Sequence, residues 1–160
     1  MIASRSNRRK CATTATAFLL FSVFGVPAGG ETVPAGIQVE MDSKKPLSLR
    51  VELRSGAETR VTFYKSRLPW GSTHSMILVA VTPTGRYLEK QLPIDDPSPE
   101  KVTLDPKESI RGNINLRKVF KGLDEVLEKS DVHVFWAYEA PEELRVGRWS
   151  GGWILIARHQ

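Results

Sequence analysis

Residues 131–138 constrain this chain more than any other stretch, because after a leading aspartate they read VHVFWAY and alternate with a period of two. Val132, Val134, Trp136 and Tyr138 share one side of an extended chain, and His133, Phe135 and Ala137 share the other. The run is β-branched or aromatic and apolar at nearly every position. That pattern predicts a central strand covered on both faces. Residues 152–157, GWILIA, are predicted as its hairpin partner.

The rest of the chain supplies shorter runs of the same kind. Leu47, Leu49, Val51 and Leu53 alternate with Ser48, Arg50, Glu52 and Arg54, which predicts a strand with one buried and one wet face. Val61 and Phe63 resume the alternation after Ser55-Gly56-Ala57, predicting a hairpin between the two runs. MILVAV at 76–81, followed by Pro83-Thr84-Gly85, predicts a second hairpin onto residues 86–91. Residues 101–104 and 109–116 read as strands on either side of the turn Asp105-Pro106-Lys107, and residues 93–100, with three prolines, as an exposed crossing loop. Ile37, Val39 and Met41 suggest an edge strand within an otherwise loose segment, residues 29–46.

Between 115 and 130 the period lengthens. Leu116, Val119, Phe120, Leu123, Val126 and Leu127 recur at three and four with charges between them, an amphipathic helix capped by Asn115 and interrupted by Gly122. Short strands at turn spacings with one helical insertion predict a mainly β fold: an immunoglobulin-like antiparallel β-sandwich over residues 47–160, with Trp136 filling the space between sheets.

The first 28 residues stand apart. Arg5, Arg8, Arg9 and Lys10 precede an uncharged apolar segment at 12–26, and Val26-Pro27-Ala28 offers small residues for cleavage, so residues 1–28 read as a secretory signal peptide of the general secretion type. Arg8-Arg9 raises a twin-arginine route, but Lys10-Cys11-Ala12 follows where that signal prefers an apolar pair. The apolar segment falls short of the roughly twenty residues that span a bilayer, so no membrane span is expected in the mature chain. The expected location is the periplasm or the cell exterior. Removing the four basic groups of this segment from the 23 of the whole chain leaves 19 against 18 acidic ones. A near-neutral, interspersed surface argues against nucleic acid as a partner. The lone Cys11 lies within the signal, so the mature chain has no disulfide, thiolate metal site or thiol nucleophile.

In order along the chain, LRVELRS, a loop containing Pro69-Trp70, the turn TPTGRYLE and then LDPKESIRGNINL resemble the β-sandwich domain that precedes the catalytic unit in lysine-specific and deuterolysin-like secreted metallopeptidases. The resemblance covers residues 47–116. It implies an accessory module and carries over no catalytic residue, because the HExxH zinc motif belongs to the domain this chain lacks.

Chemistry is sparse. His74, His133 and His159 lack the spacing of helix-borne zinc ligands. Ser72, Ser75 or Ser150 would need His74 and Asp95 to assemble a triad, and no GxSxG elbow frames any of them. Asp95-Asp96 is an acidic loop pair with too few oxygen ligands nearby for calcium. No phosphate-cradling glycine loop is present, and no cofactor is expected. Arg145, Arg148 and Arg158 lie near the C-terminal hairpin and read as a solvated face.

The aromatic residues are the most suggestive feature. Trp70, Trp149 and Trp153, with Tyr87 and Tyr138, are the residues able to build a platform, and Trp149 and Trp153, four apart, share a face of a regular strand. The expectation is an exported, non-enzymatic β-sandwich module that binds a protein partner. The alternatives are a carbohydrate-binding module using exposed tryptophans, with polysaccharide as its ligand, and a cryptic hydrolase.

Overall fold

A computed structural model describes residues 34–71, 75–91 and 99–158. The signal-peptide reading, residues 29–33, Ser72, His74, the Asp95-Asp96 pair and His159 lie outside these residues. The described chain is mainly β, with antiparallel sheets and two short helices.

Alternation at the start of the domain is expressed as strand β2 (Ser48–Arg54), whose Leu49, Val51 and Leu53 are fully buried. It is central in a three-stranded sheet, between β1 (Gly36–Met41) at one edge and β6 (Ser109–Asn115) at the other. The outer face of this sheet is charged and paired across its rows. Arg50 meets its cross-strand partner Glu40 at 3.3 Å and Asp42 at 3.4 Å, and Arg111 meets its partner Glu52 at 2.7 Å.

The predicted hairpin between β2 and β3 (Val61–Tyr64) does not form; β3 pairs instead with β5 (Lys101–Leu104) in a separate two-stranded sheet. The connecting segment is not a tight turn. Ser55 and Ala57 are buried, the amides of Ser55 and Gly56 bond the carbonyls of Glu108 and Leu144, and those contacts lead the chain away from β2. Having paired with β1 and β6 on its two sides, β2 has no edge left for β3.

The third sheet has the order β4 (Met76–Val81), β7 (Val132–Glu139), β8 (Trp149–Ile156). The predicted β7–β8 hairpin is present, with β8 starting three residues earlier than its apolar run suggests and Val132 opposite Ile156. The second predicted hairpin is reduced to one turn. Residues 82–85 reverse the chain, Tyr87 makes a single bridge to Val81, and β4 takes β7 as its strand partner.

Helix periodicity between 115 and 130 is broken as Gly122 suggests. Helix α1 (Leu116–Val119) and helix α2 (Leu123–Leu127) are separated by Gly122 at φ +68°, a conformation that favours glycine. The Asn115 side chain accepts from the Arg117 amide at 3.0 Å, capping α1, and the Arg117 guanidinium clasps Asp124 of α2 at 2.8 and 3.0 Å. Leu116, Phe120, Leu123 and Leu127 are buried.

One cluster of buried side chains joins these parts, including Leu49, Val51 and Leu53 of β2, Phe63 of β3, the helical leucines, and Val132, Val134, Trp136 and Tyr138 of β7. Trp136 is 8% exposed. Its cross-strand partner is Gly152, where an added Cβ would lie 3.1 Å from the indole nitrogen, so the glycine makes room for the ring. Tyr138 donates its hydroxyl to the carbonyl of Arg67 at 2.8 Å, and burial pushes its phenol pKa up.

Two outcomes follow from this packing. Trp136→Ala will lower the unfolding free energy by about 3–5 kcal/mol, and Gly152→Val by about 1–3 kcal/mol through overpacking against the same ring, both measurable by urea denaturation. Acid will act through Asp42 and Glu52. The Lys44 amide and Arg50 hold the Asp42 carboxyl below its ordinary 3.8, and Arg111 holds that of Glu52 below 4.5. A carboxyl whose pKa is lower folded than unfolded contributes stability above its unfolded value and loses it as pH falls through the folded value. The denaturation midpoint will therefore fall as pH drops below these ordinary values, and Asp42→Asn with Glu52→Gln will flatten the fall.

Candidate functional site: an apolar sheet face

Alternation along β7 and β8 divides their side chains between the core and the opposite face of the sheet. The core-side row of β7 is buried as the sequence predicts. The other row is not covered: His133, Phe135 and Ala137 are half-exposed, which corrects the expectation of a strand covered on both sides.

On this outer face the register brings the apolar residues into rows. Val79, Phe135 and Trp153 lie side by side, with the Phe135 and Trp153 rings 5.1 Å apart at a 55° tilt. Val81, His133 and Leu155 form the next row, extended by Tyr87 opposite Val81. On the other side Ile77, Ala137 and Gly151 make a low row, and Trp149 follows opposite Glu139. Exposures of 46% at Ile77, 71% at Tyr87, 55% at Trp149, 64% at Trp153 and 56% at Leu155 show that these side chains meet solvent. Their clustering on one face distinguishes them from the scattered apolar residues normal on any surface.

Charge is confined to the ends of the face. Glu139 is tied to Arg148 at 2.9 Å beside Trp149. At the opposite end Arg86 precedes Tyr87 in an exposed turn, and the Arg158 amide bonds the Asp131 carboxylate at 2.9 Å. Arg148 and Arg158 flank the two ends of β8, so the three arginines near the C-terminal hairpin do not form a single basic patch. Arg145, left-handed at φ +51° after the short turn Glu142–Leu144, lines one depression with Arg148, away from Arg158 at the other end of β8.

The predicted platform is only partly assembled. Trp149 and Trp153 share the exposed face of β8, and Tyr87 joins them through its bridge to Val81. Trp70 does not. It is half-buried and lies over Gly112 of β6, where an added Cβ would come within 2.1 Å of the indole, so its ring fills space beside the core of a different sheet. Tyr138 also leaves the platform, because its parity on β7 points it inward and its hydroxyl is bound to Arg67.

Sequence reasoning located the tryptophans but missed their aliphatic neighbours Ile77, Val79 and Leu155. MILVAV gives no parity signal because every position is apolar; only pairing with β7 shows which half of it faces outward.

The triad considered from sequence rests on His74 and Asp95, which lie outside the described residues. Ser150 lies opposite Tyr138 on the core side of the sheet, whereas His133 is on the outer side. Ser75 directs its hydroxyl to the carbonyl of Pro69 at 3.4 Å. Among the described residues no group of three or more His, Cys, Asp or Glu side chains is placed to hold a metal ion, and no helix there is long and apolar enough to cross a membrane. No family model matches the chain, and no curated protein matches it in sequence.

The contrast between the exposed and enclosed tryptophans is open to measurement. Trp149→Ala will change the unfolding free energy by less than about 0.5 kcal/mol, whereas Gly112→Ala will displace the Trp70 ring and cost about 1–3 kcal/mol, as read by urea denaturation followed by tryptophan fluorescence.

Proposed function

We propose that this chain is an exported, non-enzymatic module that binds a protein partner through the outer face of the β4–β7–β8 sheet. The observation that carries this reading is the placement of Ile77, Tyr87, Trp149, Trp153 and Leu155 together on one exposed sheet face. Contiguous exposed apolar surface marks interaction sites in soluble proteins, and tryptophan and tyrosine dominate the binding energy of protein interfaces. The outer face of the β1–β2–β6 sheet, covered by cross-strand ion pairs, is the ordinary solvated counterpart. In the same reading the two three-stranded sheets are the layers of an immunoglobulin-like sandwich, supported by the single cluster that contains the buried residues of both β2 and β7. The likeness to accessory domains of secreted metallopeptidases and the apparatus of the first 28 residues fit an exported module.

The chemistry of the face narrows the partner. Its centre holds branched aliphatic and aromatic groups, and its Tyr87–Leu155 end is bordered by Arg86 and Arg158. A complementary surface is apolar with carboxylates at one margin. Carbohydrate recognition draws support from the exposed tryptophans alone. Trp149 and Trp153, four residues apart on one strand, are separated by about 13 Å, too far to stack on one sugar ring, and Leu155, Val79 and Ile77 beside them offer no hydrogen bonds to hydroxyl groups.

Affinity capture from the exported fraction, using the protein and its Trp153→Ala and Leu155→Ala variants, tests the reading. A protein retained by the parent will be lost with either variant, the loss at Trp153 amounting to about 2 kcal/mol or more. Retention unaffected by both substitutions would overturn the assignment of the face, and glycan binding abolished by Trp149→Ala in a folded protein would favour the carbohydrate reading instead.

A further inference from the structure

Residues 82–91 leave β4 through their turn and run alongside the helical connection. On one side the Leu88 amide bonds the Ala80 carbonyl; on the other the Lys121 amide bonds the Glu89 carbonyl and the Gln91 amide that of Val119. Beyond this point Gly122, Glu125, Val126 and Lys129 recur at three and four, so they form one stripe, while Leu123 and Leu127 turn to the core. Between the stripe and residues 82–89 lies a cleft of about 690 Å³, a size typical of small-molecule sites. Its two walls are fastened at one end by the Lys121–Glu89 backbone bond and by the pairing of the same two side chains at 3.9 Å.

The lining has an apolar floor and a charged rim. Leu88 from one wall and Val126 from the other are half-buried and pack against the core. Arg86 and Lys129 stand exposed, one on each wall, and among the described residues neither has an acidic partner. Lys121 and Glu89 neutralise each other, so the cleft holds three cations against two carboxylates, the second being Glu125 on the stripe with Lys129. The wall hydroxyls are already engaged: those of Thr82 and Thr84 bond each other at 2.9 Å, and that of Ser130 donates to the Asp131 carbonyl at 3.1 Å.

We propose that this cleft binds a carboxylate carried on an apolar body, with the body on Leu88 and Val126 and the carboxylate between Arg86 and Lys129. The one surplus positive charge of the lining matches a single carboxylate, whereas a dianion such as phosphate would leave excess charge facing Glu125. Arginine grips a carboxylate through two parallel hydrogen bonds, and the apolar floor rewards a ligand that brings surface to bury. Arg86 and Tyr87 lie where the cleft meets the apolar sheet face, but Glu125, Val126 and Lys129 belong to the cleft alone.

Amide NMR shifts recorded as the protein is titrated with octanoate or hydrocinnamate test the site. Both acids are expected to saturate at millimolar concentration or below and to move amides of residues 84–89 and 122–130. Acetate, without the body, and octanol, without the charge, are expected not to saturate in that range. Arg86→Gln and Lys129→Gln, each at an exposed position, will weaken octanoate binding by about tenfold, and Glu125→Gln will strengthen it. A tripeptide ending in leucine tells the source of the carboxylate: binding tighter than octanoate and lost on amidation marks a peptide end, and weaker binding marks a free acid. No saturable shift with either acid, saturation at amides elsewhere, or binding indifferent to both Arg86→Gln and Lys129→Gln would overturn the proposal. Trp153→Ala will leave octanoate binding unaltered, so failure of this site and loss of a partner at the sheet face are read separately.

Discussion

Burial of the Val132–Tyr138 row of β7 is the contact on which the rest of the structure depends. These side chains meet the buried residues of β2, the helices and β3 in one cluster, and β7 is the only strand of its sheet with a neighbour on each side. With no cysteine outside the first 28 residues, apolar burial and backbone pairing hold the domain together. The accommodation of Trp136 by Gly152 shows how closely the two strands are matched: the larger ring on one requires the absence of a side chain on the other.

The two outer sheet faces are built on different rules. Around β2, Arg50 and Glu52 each find an opposite charge across the strand, which gives a hydrated surface of little energetic consequence. Around β7 the corresponding positions are aromatic and aliphatic. The fold needs only the inner row for its core, so the outer row is surplus to packing, and the binding role proposed for this face rests on that surplus.

Much of this architecture can be read from the residues, and where reading fails the reason is physical. The parity of β2 and β7 is visible because large apolar groups alternate, and Asn115 and Gly122 announce a cap and a break through their own chemistry. Strand pairing is less legible. Ser55-Gly56-Ala57 resembles a turn, but the Ser55 and Gly56 amides are taken by residues more than fifty positions away, which no local pattern records. The same limit applies to the candidate site. Trp149 and Trp153 share a face by simple counting, while Trp70 has the same composition cues and is placed beside the core by Gly112, a glycine remote from it in the chain.

The order of strands in the sheets also bears on how the molecule is made. Only β1 with β2 and β7 with β8 are neighbours in both sequence and sheet; β2 with β6, β3 with β5 and β4 with β7 close loops of tens of residues. Entropy of loop closure is then incurred before native contacts offset it, which slows folding in proteins dominated by distant pairings. A ribosome delivers the amino-terminal strands first, yet β2 acquires its central position only when β6 arrives, and β4 its strand partner only when β7 does. The sheets around β2 and β4 are thus completed only once the carboxy-terminal half of the chain has been made.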